Sequence, residues 1–217
     1  MTNEAVVRQR SGQPQPADPV QPASQRRLDE HATRVMGYAC WLARTLRLST
    51  QQIAEIRVAS LLHDIGKTAL PQALLDKTTS LTQNDWRQIR KHPELGCALA
   101  RALSYDERIR TLIRHHHEHW DGTGYPCGLQ ETDTPVGSRI IAIADVFDAL
   151  TSPRSYRVAL DAGAALAVMR AETGRVLDPH LFAVFEEIME DNFGRRERVG
   201  APNISTIAAL LGRSIVH

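Results

Sequence analysis

The chain has 217 residues, enough for one domain with a sizeable core. Apolar residues make up 42% and charged residues 24%, and Lys+Arg 26 against Asp+Glu 25 leaves a net charge of +1. That balance excludes a general binder of nucleic-acid polymers, which carries a strong basic excess. No apolar run approaches the roughly 20 residues of a membrane span, so a cytoplasmic protein is expected. The three cysteines, Cys40, Cys97 and Cys127, form no CxxC and read as reduced thiols.

Residues 1–27 are rich in Gln and Pro and offer few apolar anchors. A disordered N-terminal tail is expected there, with no leader peptide or regulatory domain ahead of the folded part. From Leu28, the spacing of Val35, Ala39, Leu42 and Leu46 predicts a helix. Ser49 and Gln52 fit a capping box for a second helix carrying Ile53, Ile56, Ala59, Leu61 and Leu62, with Gly66 marking its end. Thr82 caps a short helix through Ile89, and Pro93 opens the next. A helix is expected over 108–117. Residues 119–137, punctuated by Gly122, Gly124, Pro126, Gly128 and Pro135, form a long loop. An apolar helix over 138–151 follows, then helices near 161–172 and 178–193 and a short one over 203–212. No stretch alternates like a strand, so the fold class is all-α, with one domain over 28–195 and a C-terminal extension over 196–217.

The histidines carry the chemistry. His31, His63, His92, His116 and His117 fall in one stretch, joined by Asp64 and Asp145. Imidazole nitrogens and carboxylate oxygens together suit a divalent transition metal. Neighbouring helical residues point roughly 100° apart, so His63 and Asp64 face one centre only near a helix end. Asp64 has two oxygens and can bridge two cations. Asp145 lies in the apolar run Ile140-Ile141-Ala142-Ile143-Ala144, where an unpaired charge is expensive. Any one of these residues alone reads as an ordinary hydrogen-bonded side chain; their order and spacing together do not. His115 and His119 flank the His116-His117 pair and are expected to face solvent or to sit behind the ligands.

Five ordered motifs now make the chain recognisable. They are His31-Ala32-Thr33-Arg34-Val35, His63-Asp64-Ile65-Gly66-Lys67, His92-Pro93-Glu94-Leu95-Gly96, His116 to Pro126, and Ala144-Asp145-Val146-Phe147-Asp148-Ala149-Leu150-Thr151 with Arg154-Ser155-Tyr156-Arg157. Over about 28–190 the sequence resembles the HD-GYP branch of the HD metal-dependent phosphohydrolases. The resemblance implies a helical HD core extended by C-terminal helices, and hydrolysis of cyclic di-GMP to pGpG, with GMP after a second cut, by a two-metal hydroxide mechanism. It implies one metal on His31, His63, Asp64 and Asp145 and another on Asp64, His92, His116 and His117. Lys67 takes the role of a phosphate-contacting catalytic lysine. Arg154 takes that of a substrate-positioning arginine, and Tyr125 lies in the Gly124-Tyr125-Pro126 loop near the substrate.

Where some relatives place a third-metal glutamate, four residues before the first histidine, this chain has Arg27. An arginine is always protonated and cannot ligate a cation. Two divalent ions per chain are therefore expected, with Fe or Mn favoured over Zn by the thiolate-free donor set. Glu118 and Asp121 are expected to orient the ligand histidines. Alternative readings are hydrolysis of other cyclic or linear dinucleotides, and a low-turnover module that senses cyclic di-GMP or docks diguanylate cyclase domains.

Overall fold

The structure, a computed structural model, describes residues 23–153 and 158–193. The described residues hold nine α-helices joined by 3-10 turns and loops, with no strand among them. Helix α1 (Ala23–Thr45) buries Val35, Ala39, Leu42 and Ala43, the face that the periodicity marked. It begins at Ala23, so residues 23–27 belong to the first helix and not to the expected tail. Residues 1–22, the segment 154–157 with Arg154, the extension 196–217 and the expected helix over 203–212 lie outside the described residues.

Helix α2 (Thr50–Leu62) packs against α1 and opens on a complete capping box, in which Ser49 accepts from the Gln52 amide and Gln52 accepts from the Ser49 amide. It ends at Leu62, directly before His63. A short 3-10 turn over Ile65–Ala69 and a one-turn helix α3 (Gln72–Leu75) follow; neither shows a period long enough to read from sequence. Gly66 is a glycine for a reason other than helix termination. A Cβ there would sit 1.9 Å from the His92 carbonyl oxygen and 2.5 Å from the Gly96 nitrogen. The 3-10 turn thus lies backbone to backbone on the helix that starts at His92.

Helix α4 (Gln83–Ile89) carries a second capping box between Thr82 and Asp85. After two residues, α5 (His92–Ala102) starts with Pro93 in its first turn. Helix α6 (Glu107–Arg114) ends three residues short of the expected His117. The cause is local: the His116 ring donates to the Ile113 carbonyl oxygen at 2.7 Å. In a continuing helix that carbonyl would accept from the amide of residue 117. His115, His116 and His117 therefore lie in the turn.

Helix α7 (Val136–Thr151) is the centre of the fold. Ile140, Ile141, Ile143, Ala144, Phe147 and Leu150 are each at most 2% exposed, and the helix touches α1, α2, α6, α8 and α9. Burying each of its large apolar side chains stabilises the domain by ~2 kcal/mol. Helices α8 (Ala162–Ala171) and α9 (Pro179–Phe193) close the core over this face with Leu166, Met169, Phe182, Phe185 and Met189. Buried Asp178 accepts from the His180 and Leu181 amides at the start of α9 and pairs with Arg139 of α7.

Candidate metal centre

Three helix ends meet on one side of α7. His63 follows α2, His92 follows α4 and opens α5, and His116 follows α6. Each donates its Nδ1–H to the carbonyl three residues back: His63 to Ser60 at 2.7 Å, His92 to Ile89 at 2.8 Å, His116 to Ile113 at 2.7 Å. Those carbonyls stand in the last turns, where helices leave acceptors free. The bond fixes the tautomer, so every Nε2 carries a lone pair aimed away from its helix. His31 uses a carboxylate instead: its Nδ1 lies 2.7 Å from Asp148 Oδ2. Arg34, one turn along α1, donates to both oxygens of Asp148 at 2.5 and 3.1 Å. Asp148 is 1% exposed and stands one turn beyond Asp145 on α7.

The free nitrogens and the carboxylates converge in two groups, His31, His63 and Asp145 in one and Asp64, His92, His116 and His117 in the other, each with its donor atoms within 4.8 Å of one another. Asp64 joins them. Its Oδ1 lies 3.3 Å from His92 Nε2, and its Oδ2 lies 3.6 Å from His63 Nε2 and 3.9 Å from His31 Nε2. Asp145 Oδ1 is 3.3 Å from His31 Nε2 and 3.9 Å from His63 Nε2. All seven expected ligand side chains are thus brought together. Lys67 donates to Asp64 Oδ2 at 2.6 Å. Tyr125 stacks on His117, ring centres 4.9 Å apart at 25°, with the Arg90 guanidinium 5.4 Å from the centre of its ring.

The donor set fits divalent cations. His63 Nε2, Asp64 Oδ1 and His117 Nε2 are buried with no hydrogen-bond partner, a condition that native interiors rarely tolerate. The Nε2 atoms of His92 and His116 lie 3.3 Å apart, two acceptors with only a cation or a proton to reconcile them. Burial, and in the case of His116 the neighbouring His63 and His92, push the ring of His92 down to about 4 and that of His116 down to about 3, so both are neutral at pH 7. Burial opposes ionisation of Asp64, but Lys67 and the surrounding histidines outweigh it and hold the carboxyl well below the usual range. His31 goes the other way. Burial disfavours its charged ring, yet Asp145 and Asp148 outweigh that and raise it to about 9.

These opposite shifts predict a stability maximum near pH 6.5 for the chelator-treated protein. His31, raised in the folded state, contributes stability that is present below 6.5 and lost as pH climbs through about 9, on the order of 3 kcal/mol. His92 and His116, depressed in the folded state, cost stability as pH falls below 6.5 toward about 4 and about 3. Thermal melting from pH 4 to 9.5 is expected to show both arms, and His31→Gln is expected to flatten only the alkaline one.

Two other expectations are corrected here. Glu118 does not orient the ligand histidines. It is 4% exposed and accepts from the amides of Cys127, Gly128 and Leu129 at 2.8, 2.8 and 3.1 Å, clamping the far end of the loop. Asp121 accepts from the Thr123 amide and hydroxyl, and His119 pairs with Thr123. Gly124 lets the same loop cross the histidine turn, since a Cβ there would stand 2.5 Å from the His117 carbonyl oxygen. Glu118→Gln puts an amide NH₂ against backbone N–H donors. It is expected to cost about 2–3 kcal/mol in urea denaturation.

Asp148 went unassigned in the sequence, although the cost of a buried charge that singles out Asp145 applies equally one turn later.

The HD-domain family profile matches residues 22–181, and the chain belongs to that family. Its architecture is of the HD-GYP type. It is 40% identical over 151 residues to the cyclic di-GMP phosphodiesterase response regulator RpfG of Xanthomonas campestris pv. campestris, covering 67% of this chain and 39% of the relative. Over 159 residues it is 36% identical to a 3'3'-cGAMP-specific phosphodiesterase 3 of Vibrio cholerae, covering 73% and 35%. The chain therefore spans little more than a third of the length of these relatives. Among solved structures, an HDGYP protein of Bdellovibrio bacteriovorus superposes with a TM-score of 0.62 at 22% identity, over 75% of this chain and 52% of that one. No described helix is long and apolar enough to cross a membrane.

Proposed function

We propose that this chain is a cytoplasmic phosphodiesterase that cuts cyclic di-GMP to pGpG, and then to GMP, with two divalent cations. The observation that carries the reading is the pair of donor groups sharing Asp64. His31, His63, Asp64 and Asp145 would hold one ion and Asp64, His92, His116 and His117 the other. When bound, such a pair supplies Lewis acidity to a phosphodiester and activates water at neutral pH.

The chain's own residues do the rest. Backbone carbonyls and Asp148 fix the direction of the imidazoles. Lys67 donates to Asp64 and would turn from it onto a phosphate oxygen when substrate binds. Tyr125 shields His117 from water. Arg154 is assigned to the second phosphate. Arg27 leaves the cation count at two, and the thiolate-free donors favour Fe or Mn. Diguanylate cyclase domains are the proposed protein partners.

A second substrate, 3'3'-cGAMP, is supported by the Vibrio cholerae relatives that carry that specificity in their names. The test incubates protein loaded with Mn²⁺ or Fe²⁺ with each dinucleotide at equal concentration and separates the products. Faster loss of cyclic di-GMP, with pGpG appearing first, supports the primary reading. Faster loss of the hybrid dinucleotide selects the second, and no product from either in cation-loaded protein defeats both.

A further inference from the structure

A third group of donors lies outside the seven: His115, Glu118 and Cys127, with one ligand atom from each within 4.8 Å of the others. His115 caps α6, Glu118 follows three residues on, and Cys127 comes directly after Tyr125-Pro126. The Cys127 amide donates to Glu118 Oε1 at 2.8 Å, which seats the cysteine on the carboxylate. The residue itself is exposed, so its thiol is reachable from solvent. The Glu118 side chain is 0% exposed, and among the described residues its one ion-pair partner is His115, at 3.2 Å. Three backbone N–H bonds hold this carboxylate in place, no lysine or arginine neutralises its charge among the described residues, and a cation beside it would do so.

We propose that His115, Glu118 and Cys127 form a separate binding site for a thiophilic divalent ion of the Zn²⁺ type. The ion takes Glu118 Oε1, His115 Nδ1 and Cys127 Sγ. It replaces the long His115–Glu118 contact and leaves the three backbone bonds to Glu118 in place. Binding releases the thiol proton to solvent and displaces the Nδ1 proton through which His115 meets Glu118, leaving the imidazole's proton on Nε2. Thiolate and carboxylate together neutralise the dication. Three protein donors leave a fourth position for water or a further ligand.

The thiolate sets this site apart from the main centre. Sulfur and imidazole select Zn²⁺, Cd²⁺ or Co²⁺ over Mn²⁺ and Mg²⁺, whereas none of the seven central side chains is a thiol. Occupancy ties the segment after Tyr125 to the turn that carries His116 and His117. The ion therefore restrains the loop whose tyrosine covers His117.

The test uses the full chain, preloaded with Mn²⁺ and then given Zn²⁺ or Co²⁺. Zn²⁺ is expected to protect Cys127 from alkylation, read by peptide mass analysis, while leaving Cys97 unchanged. Co²⁺ is expected to give a thiolate-to-cobalt charge-transfer band in the near ultraviolet. The band is expected to vanish in Cys127→Ser, weaken in His115→Gln and persist in Cys40→Ser and Cys97→Ser. Alkylation of Cys127 at one rate with and without Zn²⁺ overturns the site, as does a band that survives Cys127→Ser. Circular dichroism of each variant reports its folding. The outcome is independent of the phosphodiesterase reading, because Cys127→Ser leaves the seven central side chains intact and is expected to keep wild-type turnover.

Discussion

Asp64→Asn is expected to abolish turnover, by about a thousandfold or more, and to strip cations from both donor groups at once. The substitution keeps the shape of the side chain and removes its charge. Among the seven candidate ligands, Asp64 is the one whose two oxygens face different groups, Oδ1 toward His92 and Oδ2 toward His63 and His31. An amide offers a single weak donor oxygen and an NH₂ that repels a cation. Losing several kcal/mol of electrostatic stabilisation at a two-ion site corresponds to about three or more decades of rate. Asp145→Asn provides the contrast. Its carboxylate contacts only the His31 and His63 side, so one ion is expected to remain. Bound metal counted per chain, alongside the turnover assay, separates the two. Full cation content in Asp64→Asn would falsify the shared role of this carboxylate.

The second large effect is on folding. Gly66→Ala is expected to destabilise the domain by ~4 kcal/mol, a large share of the 5–15 kcal/mol that holds a typical domain folded. The added methyl group meets the His92 carbonyl at 1.9 Å and the Gly96 nitrogen at 2.5 Å, both backbone atoms that no rotamer change can move. The 3-10 turn over Ile65–Ala69 and α5 must separate, and His92 moves with α5. Denaturant unfolding is expected to show a lower midpoint, and weaker cation retention should accompany it. Gly37→Ala is the control. Gly37 is exposed in α1 with nothing within 4 Å of an added methyl, so alanine there is expected to stabilise by about 0.5–1 kcal/mol.

Features set by residues close in sequence were legible. The capping boxes at Ser49 and Thr82, the apolar stripe of α1 and the largely apolar α7 all follow from local patterns. The histidines could be picked out because their motifs are short and ordered. What escaped depends on partners far along the chain. Gly66 reads as a helix terminator until α5 is laid against it. Asp148 acquires its place only when α1 brings His31 and Arg34 to it, 117 and 114 residues away in sequence. Glu118 looks like a neighbour of the ligands, yet three of its hydrogen bonds come from amides nine to eleven residues on. The early end of α6 comes from a ring competing for a backbone carbonyl, which no propensity scale records.

The three histidine-to-carbonyl bonds have an electrostatic consequence. Helices α2, α4 and α6 all present their C-terminal ends to the same few ångströms of space. Each such end carries the negative pole of its macrodipole, roughly half an elementary charge. Two carboxylates alone leave two dications far from neutral, and three helix poles offset part of the remainder without adding an acidic side chain. Cation affinity and the fraying of three helices are then one linked equilibrium. Removing the ions should loosen the last turns of α2, α4 and α6 together, and ordering those turns in advance should tighten the grip on metal.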